Sequence, residues 1–190
     1  MDIGLYFGSF NPVHIGHLII GNYVLNETSL QKIWFVISPQ NPFKNEDDLL
    51  SANKRLALVK KTLLGDKRFF ASGIEFKLSK PSFTINTLDH LGEKYPKHRF
   101  SIIMGGDNFL NLNKWKNARQ IVKKYEIFVY PRPGIKIHNT LNAKIKILKA
   151  PFLDISSSEI REMVKEGKSI RYMVPETVRK EIERNRYYKK

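Results

Sequence analysis

Two histidines three residues apart, His14 and His17, stand in the stretch Gly8-Ser9-Phe10-Asn11-Pro12-Val13-His14-Ile15-Gly16-His17-Leu18. The preceding run, Ile3-Gly4-Leu5-Tyr6-Phe7, has the length and aromatic content of a buried strand, and residues 8–12 carry the turn chemistry that ends it. From His14 to about Glu27 the pattern suits a helix, which predicts both imidazoles on one face of its first turn. There, unpaired backbone N–H groups and the positive end of the helix dipole attract anions. Gly16 leaves room for a ligand to approach the backbone. Imidazoles donate hydrogen bonds to phosphate oxygens and to charge that builds up during transfer. By spacing alone the pair is also half of a metal site, or a surface or capping pair, and the motif leaves these readings open.

A second phosphate-suited pattern lies near the C-terminus, in Ile155-Ser156-Ser157-Ser158-Glu159-Ile160-Arg161. Ser156 as N-cap and Glu159 at the third helical position form a capping box, which is sufficient for a bare helix start. Arg161 adds to this, because its guanidinium lies within the first turns of the same helix and can fork onto a polyphosphate.

The elements that must position these residues alternate. Strand-like runs fall at 33–37, 69–71, 99–104, 127–130 and 145–148, with helix-like runs such as 53–64 and 84–95 between most of them. Pro175 can open a final helix to about Asn185. This order predicts an α/β fold with a parallel sheet and right-handed crossovers, whose ligands sit beyond the carboxyl ends of the strands at the switch in strand order. With 190 residues, 42% of them hydrophobic, the chain can bury a sizeable core in a single domain, residues 1–190. The absence of cysteine excludes disulfides and thiol catalysis. No apolar run approaches the ~20 residues of a membrane span, and the chain opens on a strand rather than a signal peptide, so a cytoplasmic protein is expected.

The first pattern resembles the HxGH signature of the nucleotidyltransferase superfamily, which class I aminoacyl-tRNA synthetases share. The second resembles the ISSxxIR element of small adenylyltransferases, and a chain of this length is too short for a synthetase with its tRNA-binding parts. Four further segments narrow the resemblance: Ser38-Pro39-Gln40-Asn41-Pro42-Phe43-Lys44, Pro81-Ser82-Phe83-Thr84-Ile85-Asn86-Thr87-Leu88, Ile103-Met104-Gly105-Gly106-Asp107 continuing to Trp115, and Pro131-Arg132-Pro133-Gly134. Six segments in order along nearly the whole chain are similar to the bacterial nicotinate-mononucleotide adenylyltransferase family.

That resemblance implies a Rossmann-like doubly wound sheet with a short C-terminal helical portion at about 156–186. It also implies adenylyl transfer from ATP to nicotinate mononucleotide by direct in-line attack, on the route to NAD. Nicotinamide mononucleotide and phosphopantetheine are the alternative acceptors. His14, His17 and Arg161 would serve the transferring phosphates, with Ser9 and Phe10 backbone close by, Lys44 a further phosphate contact, and Ser156 and Ser157 on the outer phosphates. Asp107 would accept ribose hydroxyls, although alone it reads as a helix N-cap. Trp115 would stack on the pyridine ring and Thr84 would help bind it, with Arg132 bordering the site; core packing and another cap are the plain readings of Trp115 and Thr84. Mg2+ would arrive mainly on the ATP phosphates.

Three positions depart from the family pattern: Phe43 stands where a histidine precedes the lysine, Phe83 replaces a tyrosine, and Ala118 stands at the spacing of a second tryptophan. The resemblance also allows a homo-oligomer, for which no residue marks an interface. A net charge of +15 raises a reading from another class, a basic nucleic-acid-binding module. No recognised DNA- or RNA-binding motif supports specific binding of that kind.

Overall fold

The computed structural model describes residues 1–39, 49–79 and 81–189. Among these, six parallel strands form one sheet: β1 (Asp2–Gly8), β2 (Lys32–Ile37), β3 (Phe69–Ser72), β4 (Arg99–Gly105), β5 (Ile127–Tyr130) and β6 (Ile145–Ile147). Their spatial order is β3-β2-β1-β4-β5-β6, so the chain winds outward from β1 and then restarts at β4 beside it. The switch point lies between β1 and β4, where a ligand crevice opens in sheets of this order. The strand runs expected from the sequence are all present, with ends shifted by a residue or less.

Period-two alternation explains how the sheet buries both faces. From β1, Tyr6 enters one core and Ile3 and Leu5 the other. On the first face lie α1 (Ile15–Glu27), α2 (Ala52–Thr62), and the later α6 (Ser157–Lys165) and α7 (Glu176–Asn185). On the second lie α3 (Thr84–Lys94), the short α4 (Gly106–Leu110) and α5 (Ala118–Lys124). The longer helices contribute residues three or four apart to the cores, such as Leu88 with Leu91 and Ile160 with Val164. No helix among the described residues is long and apolar enough to cross a membrane.

A fully buried cation lies within this apolar packing. Arg55 on α2 has no exposed surface, and its guanidinium donates to four main-chain carbonyls. Nη1 reaches Ser9 at 2.6 Å and Ser38 at 2.8 Å, Nη2 reaches Pro39 at 2.8 Å, and Nε reaches Leu50 at 2.8 Å. It thereby ties the loop after β1, the loop after β2 and the approach to α2 into one unit. Burial lowers its pKa from the ordinary arginine value. A rigid planar fork suits four fixed acceptors, whereas a lysine ammonium offers three donors from one point.

Arg55→Lys is therefore expected to lower unfolding free energy by about 2 kcal/mol, since it leaves at least one buried carbonyl unpaired. Urea denaturation checks this, and unchanged stability would contradict the assigned role.

Candidate active site

The loop between β1 and α1 is the centre of the site, and it is fixed from several directions. Phe10 sits in the left-handed region at φ 47°, a conformation that costs a non-glycine residue about 1 kcal/mol. Its ring is buried under Tyr6 and Phe35. The Asn11 carbonyl accepts from Arg161 Nη1 at 2.9 Å, and the Pro12 carbonyl accepts from Ser157 Oγ at 2.9 Å. The Asn11 side-chain oxygen accepts from Tyr188 Oη at 2.8 Å and from the Leu50 N–H at 3.2 Å. The loop thus brings the start of α1 next to the start of α6.

The histidine pair differs from its expected placement. His14 is the N-cap of α1 rather than part of its first turn, because its backbone is extended at φ −138° and ψ 170°. His17 is the third helical residue, and its Nδ1 accepts from the His14 N–H at 3.2 Å. An accepting Nδ1 carries no proton, so the N–H of that ring lies at Nε2. The two rings lie against each other with centroids 3.7 Å apart and planes tilted by 31°. His14 is almost wholly buried, and burial together with the nearby Arg132 charge lowers its pKa to about 4. It is neutral at pH 7. Gly16 makes this packing possible, since a Cβ there would lie 2.6 Å from Ile155 and 3.0 Å from the His14 ring.

Arg132 follows β5 and lines the same cleft as His14, Gly16 and His17. Its Nη2 donates to Tyr130 Oη at 3.2 Å, and Tyr6 Oη donates to the same oxygen at 3.4 Å. Burial, reinforced by Tyr130, holds the Tyr6 phenol well above its usual range. Arg132 Nε also lies 3.1 Å from Asp107 Oδ1, as an ion pair without hydrogen-bond alignment. Asp107 is the second residue of α4, and Gly105 takes the N-cap position expected for it. A Cβ at Gly105 would lie 2.4 Å from the Asp107 carboxylate, so only glycine admits this approach.

The second motif forms as expected at its start. Ser156 caps α6, accepting from the Glu159 N–H at 3.1 Å. The Ser157 hydroxyl proton and one arm of Arg161, however, are committed to the loop after β1. Arg161 Nη2 lies 3.4 Å from Ser158 Oγ, and its Nε has no partner. Six buried side-chain polar atoms among the described residues lack a hydrogen bond, and four belong here: His14 Nδ1, Asp107 Oδ1, Arg132 Nε and Arg161 Nε. Buried polar groups are ordinarily satisfied, so this concentration marks groups suited to a polar ligand.

Thr84 and Trp115 lie on the other face of the sheet. Thr84 is the first residue of α3, and Phe83, which has no side-chain cap bond, takes the N-cap place expected for Thr84. Trp115 ends a 3-10 turn, Leu112–Lys114, and packs half-buried against the core that also receives Phe83. Lys116 Nζ stands 4.5 Å from the Phe83 ring centroid, which joins the two segments. Ser9 contributes its carbonyl to Arg55, and Lys44 lies outside the described residues. The sequence reading missed Arg55, Asn11, the Tyr6 and Tyr130 pair, and Tyr188. Arg55 alone had a signal, a charge three and four residues before the apolar Leu58 and Val59.

The lowered His14 pKa has a sign. An unfolded chain takes up this proton near pH 6.5 and the folded one only near pH 4, so stability falls as pH drops through that window. From pH 7.5 to 5 the wild type is expected to lose about 2 kcal/mol more than His14→Asn. Urea titrations at both pH values measure the difference, and equal losses would contradict it.

Residues 5–163 match the model of the cytidylyltransferase-like family. A probable nicotinate-nucleotide adenylyltransferase of Cytophaga hutchinsonii is 46% identical over 99% of this chain and 98% of its own length. A similarly named protein of Flavobacterium johnsoniae is 45% identical over the full length of both. Plasmodium falciparum nicotinic acid mononucleotide adenylyltransferase complexed with NaAD superposes with a TM-score of 0.84, covering 98% of this chain and 97% of that one. At 21% identity the last match speaks for the fold. The chain belongs to the nicotinate-nucleotide adenylyltransferase family, within the cytidylyltransferase-like proteins.

Proposed function

We propose that this protein transfers the adenylyl group of ATP to nicotinate mononucleotide, releasing pyrophosphate and forming nicotinate adenine dinucleotide. The observation that carries the reading is the meeting of the α1 and α6 starts on the Asn11–Pro12 carbonyls, with polar atoms that lack hydrogen bonds on His14, Asp107, Arg132 and Arg161. Two helix N-termini, each with roughly half a positive elementary charge, suit a polyphosphate. The family named in the comparisons uses the same pair of substrate classes.

In the reaction, a phosphate oxygen of the mononucleotide forms a bond to the α-phosphorus, and the bond from that phosphorus to the bridging oxygen of pyrophosphate breaks. A phosphomonoester with a second pKa of about 6 is already largely ionised at neutral pH, so no general base is needed. The protein's work is to align two polyanions and stabilise the transferring group. His17 presents Nε2–H to that group, and His14, neutral, contributes hydrogen bonding without charge. Arg132 and the uncommitted face of Arg161 contribute the positive charge, with Ser156 and Ser157 backbone at the outer phosphates. The backbone of Ser9 and Phe10 flanks the reacting phosphates, and Lys44 is a further contact. Asp107 meets the ribose, while Thr84 and Trp115 form the pyridine wall.

No group of three His, Cys, Asp or Glu among the described residues could hold a metal ion. Mg2+ commonly keeps several waters and binds through substrate phosphates, so it is assigned to the ATP phosphates as part of the substrate, where it would offset their charge. A cytoplasmic location belongs to the same reading.

Pyrophosphate release with Mg-ATP and, in parallel, nicotinate mononucleotide, nicotinamide mononucleotide and phosphopantetheine tests the assignment. Preference for the nicotinate nucleotide, with the dinucleotide identified by mass, is the expected result; preference for either other acceptor would overturn it. In the same assay His17→Ala is expected to lower turnover by about two to three orders of magnitude. Its melting temperature should stay within a few degrees of wild type, and full activity would remove His17 from the mechanism.

A further inference from the structure

Glu75 is a buried acid that the reaction does not use. It lies in the 3-10 turn Ile74–Lys77 after β3 and is 2% exposed. Its carboxylate accepts from Thr87 Oγ1 and Ser82 Oγ, each at 2.9 Å, and the Ser38 hydroxyl, a further donor beside it, favours its charged form. Burial raises its pKa, and these hydroxyl bonds oppose the rise. Isolated burial of a carboxylate is costly, and a leucine would fill such a place without that cost. A carboxylate with hydroxyl donors instead fixes the direction of several side chains at once.

Those donors come from separate parts of the fold. Thr87 lies one turn into α3, Ser82 lies two residues before α3, and Ser38 follows β2. Ser38 also gives its N–H to the Gly8 carbonyl at 2.9 Å and its own carbonyl to Arg55. The start of α3 has no side-chain cap of its own, because Phe83 occupies the N-cap. Glu75 thus anchors residues on both sides of Phe83 and Thr84, next to Ser38 at the strand end beside the loop after β1.

We infer that Glu75 is a positioning residue for the acceptor subsite, holding the 82–87 segment in the geometry that receives the pyridine mononucleotide. The inference rests on the adenylyl-transfer reading above. Its signature is a split between substrates, since ATP is held by α1, α6 and the loop after β1, none of which bonds to Glu75 directly.

The test is steady-state kinetics with each substrate varied in turn, for wild type, Glu75→Gln, Thr87→Val and Thr87→Ser. Glu75→Gln and Thr87→Val are expected to raise KM for nicotinate mononucleotide about tenfold. Their KM for ATP and their kcat should stay within about twofold. Thr87→Ser, which keeps the hydroxyl, is expected to restore the acceptor KM. Equal rises in both KM values, or no rise in a folded variant, would overturn the inference. If Glu75→Gln fails to fold, the Thr87 pair gives the same decision. Wild-type protein inactive with every pyridine mononucleotide would remove the function reading itself, and this inference with it.

Discussion

The Arg55 guanidinium, buried and spread over four main-chain carbonyls, with no carboxylate partner among the described residues, is the interaction on which the rest of the site depends. Hydrogen bonds to a charged donor contribute about 1.5 to 3 kcal/mol each, and a buried carbonyl left alone is costly. The loop after β1 has no regular structure of its own to satisfy its backbone. Arg55, Arg161, Ser157 and Tyr188 satisfy it from α2, from α6 and from the end of the chain. Only with that loop fixed do His14 and His17 stand at the start of α1, beside the start of α6.

This arrangement stores polar capacity rather than using it internally. A strained Phe10 backbone and four polar atoms without hydrogen bonds are tolerated because the two cores and the Arg55 clamp hold them in place. The charge of the site is divided with similar economy. His14 is neutral, His17 is oriented by its own helix, and cationic strength sits on two arginines and two helix ends. Such an environment favours a group whose negative charge is spread over several oxygens, as in phosphoryl transfer.

Much of the fold was legible because strands buried on both faces read as continuous apolar runs, and β1, β2, β4 and β5 are of this kind. The helix starts at both motifs were legible because such starts are local: Ser156 and Glu159 need only each other to form a cap. Positions set by distant partners were not. Nothing near Arg55 in the sequence announces the carbonyls of Ser9 or Pro39, and Arg161 meets Asn11 across 150 positions. Asp107 yields the cap to Gly105 because the close approach of its carboxylate to that backbone and its pairing with Arg132 are tertiary events. Phe83 similarly displaces Thr84 from the cap, since the start of α3 is braced by Ser82 and Thr87 through Glu75 rather than locally.

Side chains of this site align and stabilise a single displacement, and none of them carries the adenylyl group. The stereochemical course at phosphorus tests it most directly, using ATP made chiral at the α-phosphorus by one sulfur substitution and nicotinate mononucleotide as acceptor. Inversion of configuration in the dinucleotide is the predicted result. Retention would require two successive displacements through an adenylylated side chain, and would contradict the account.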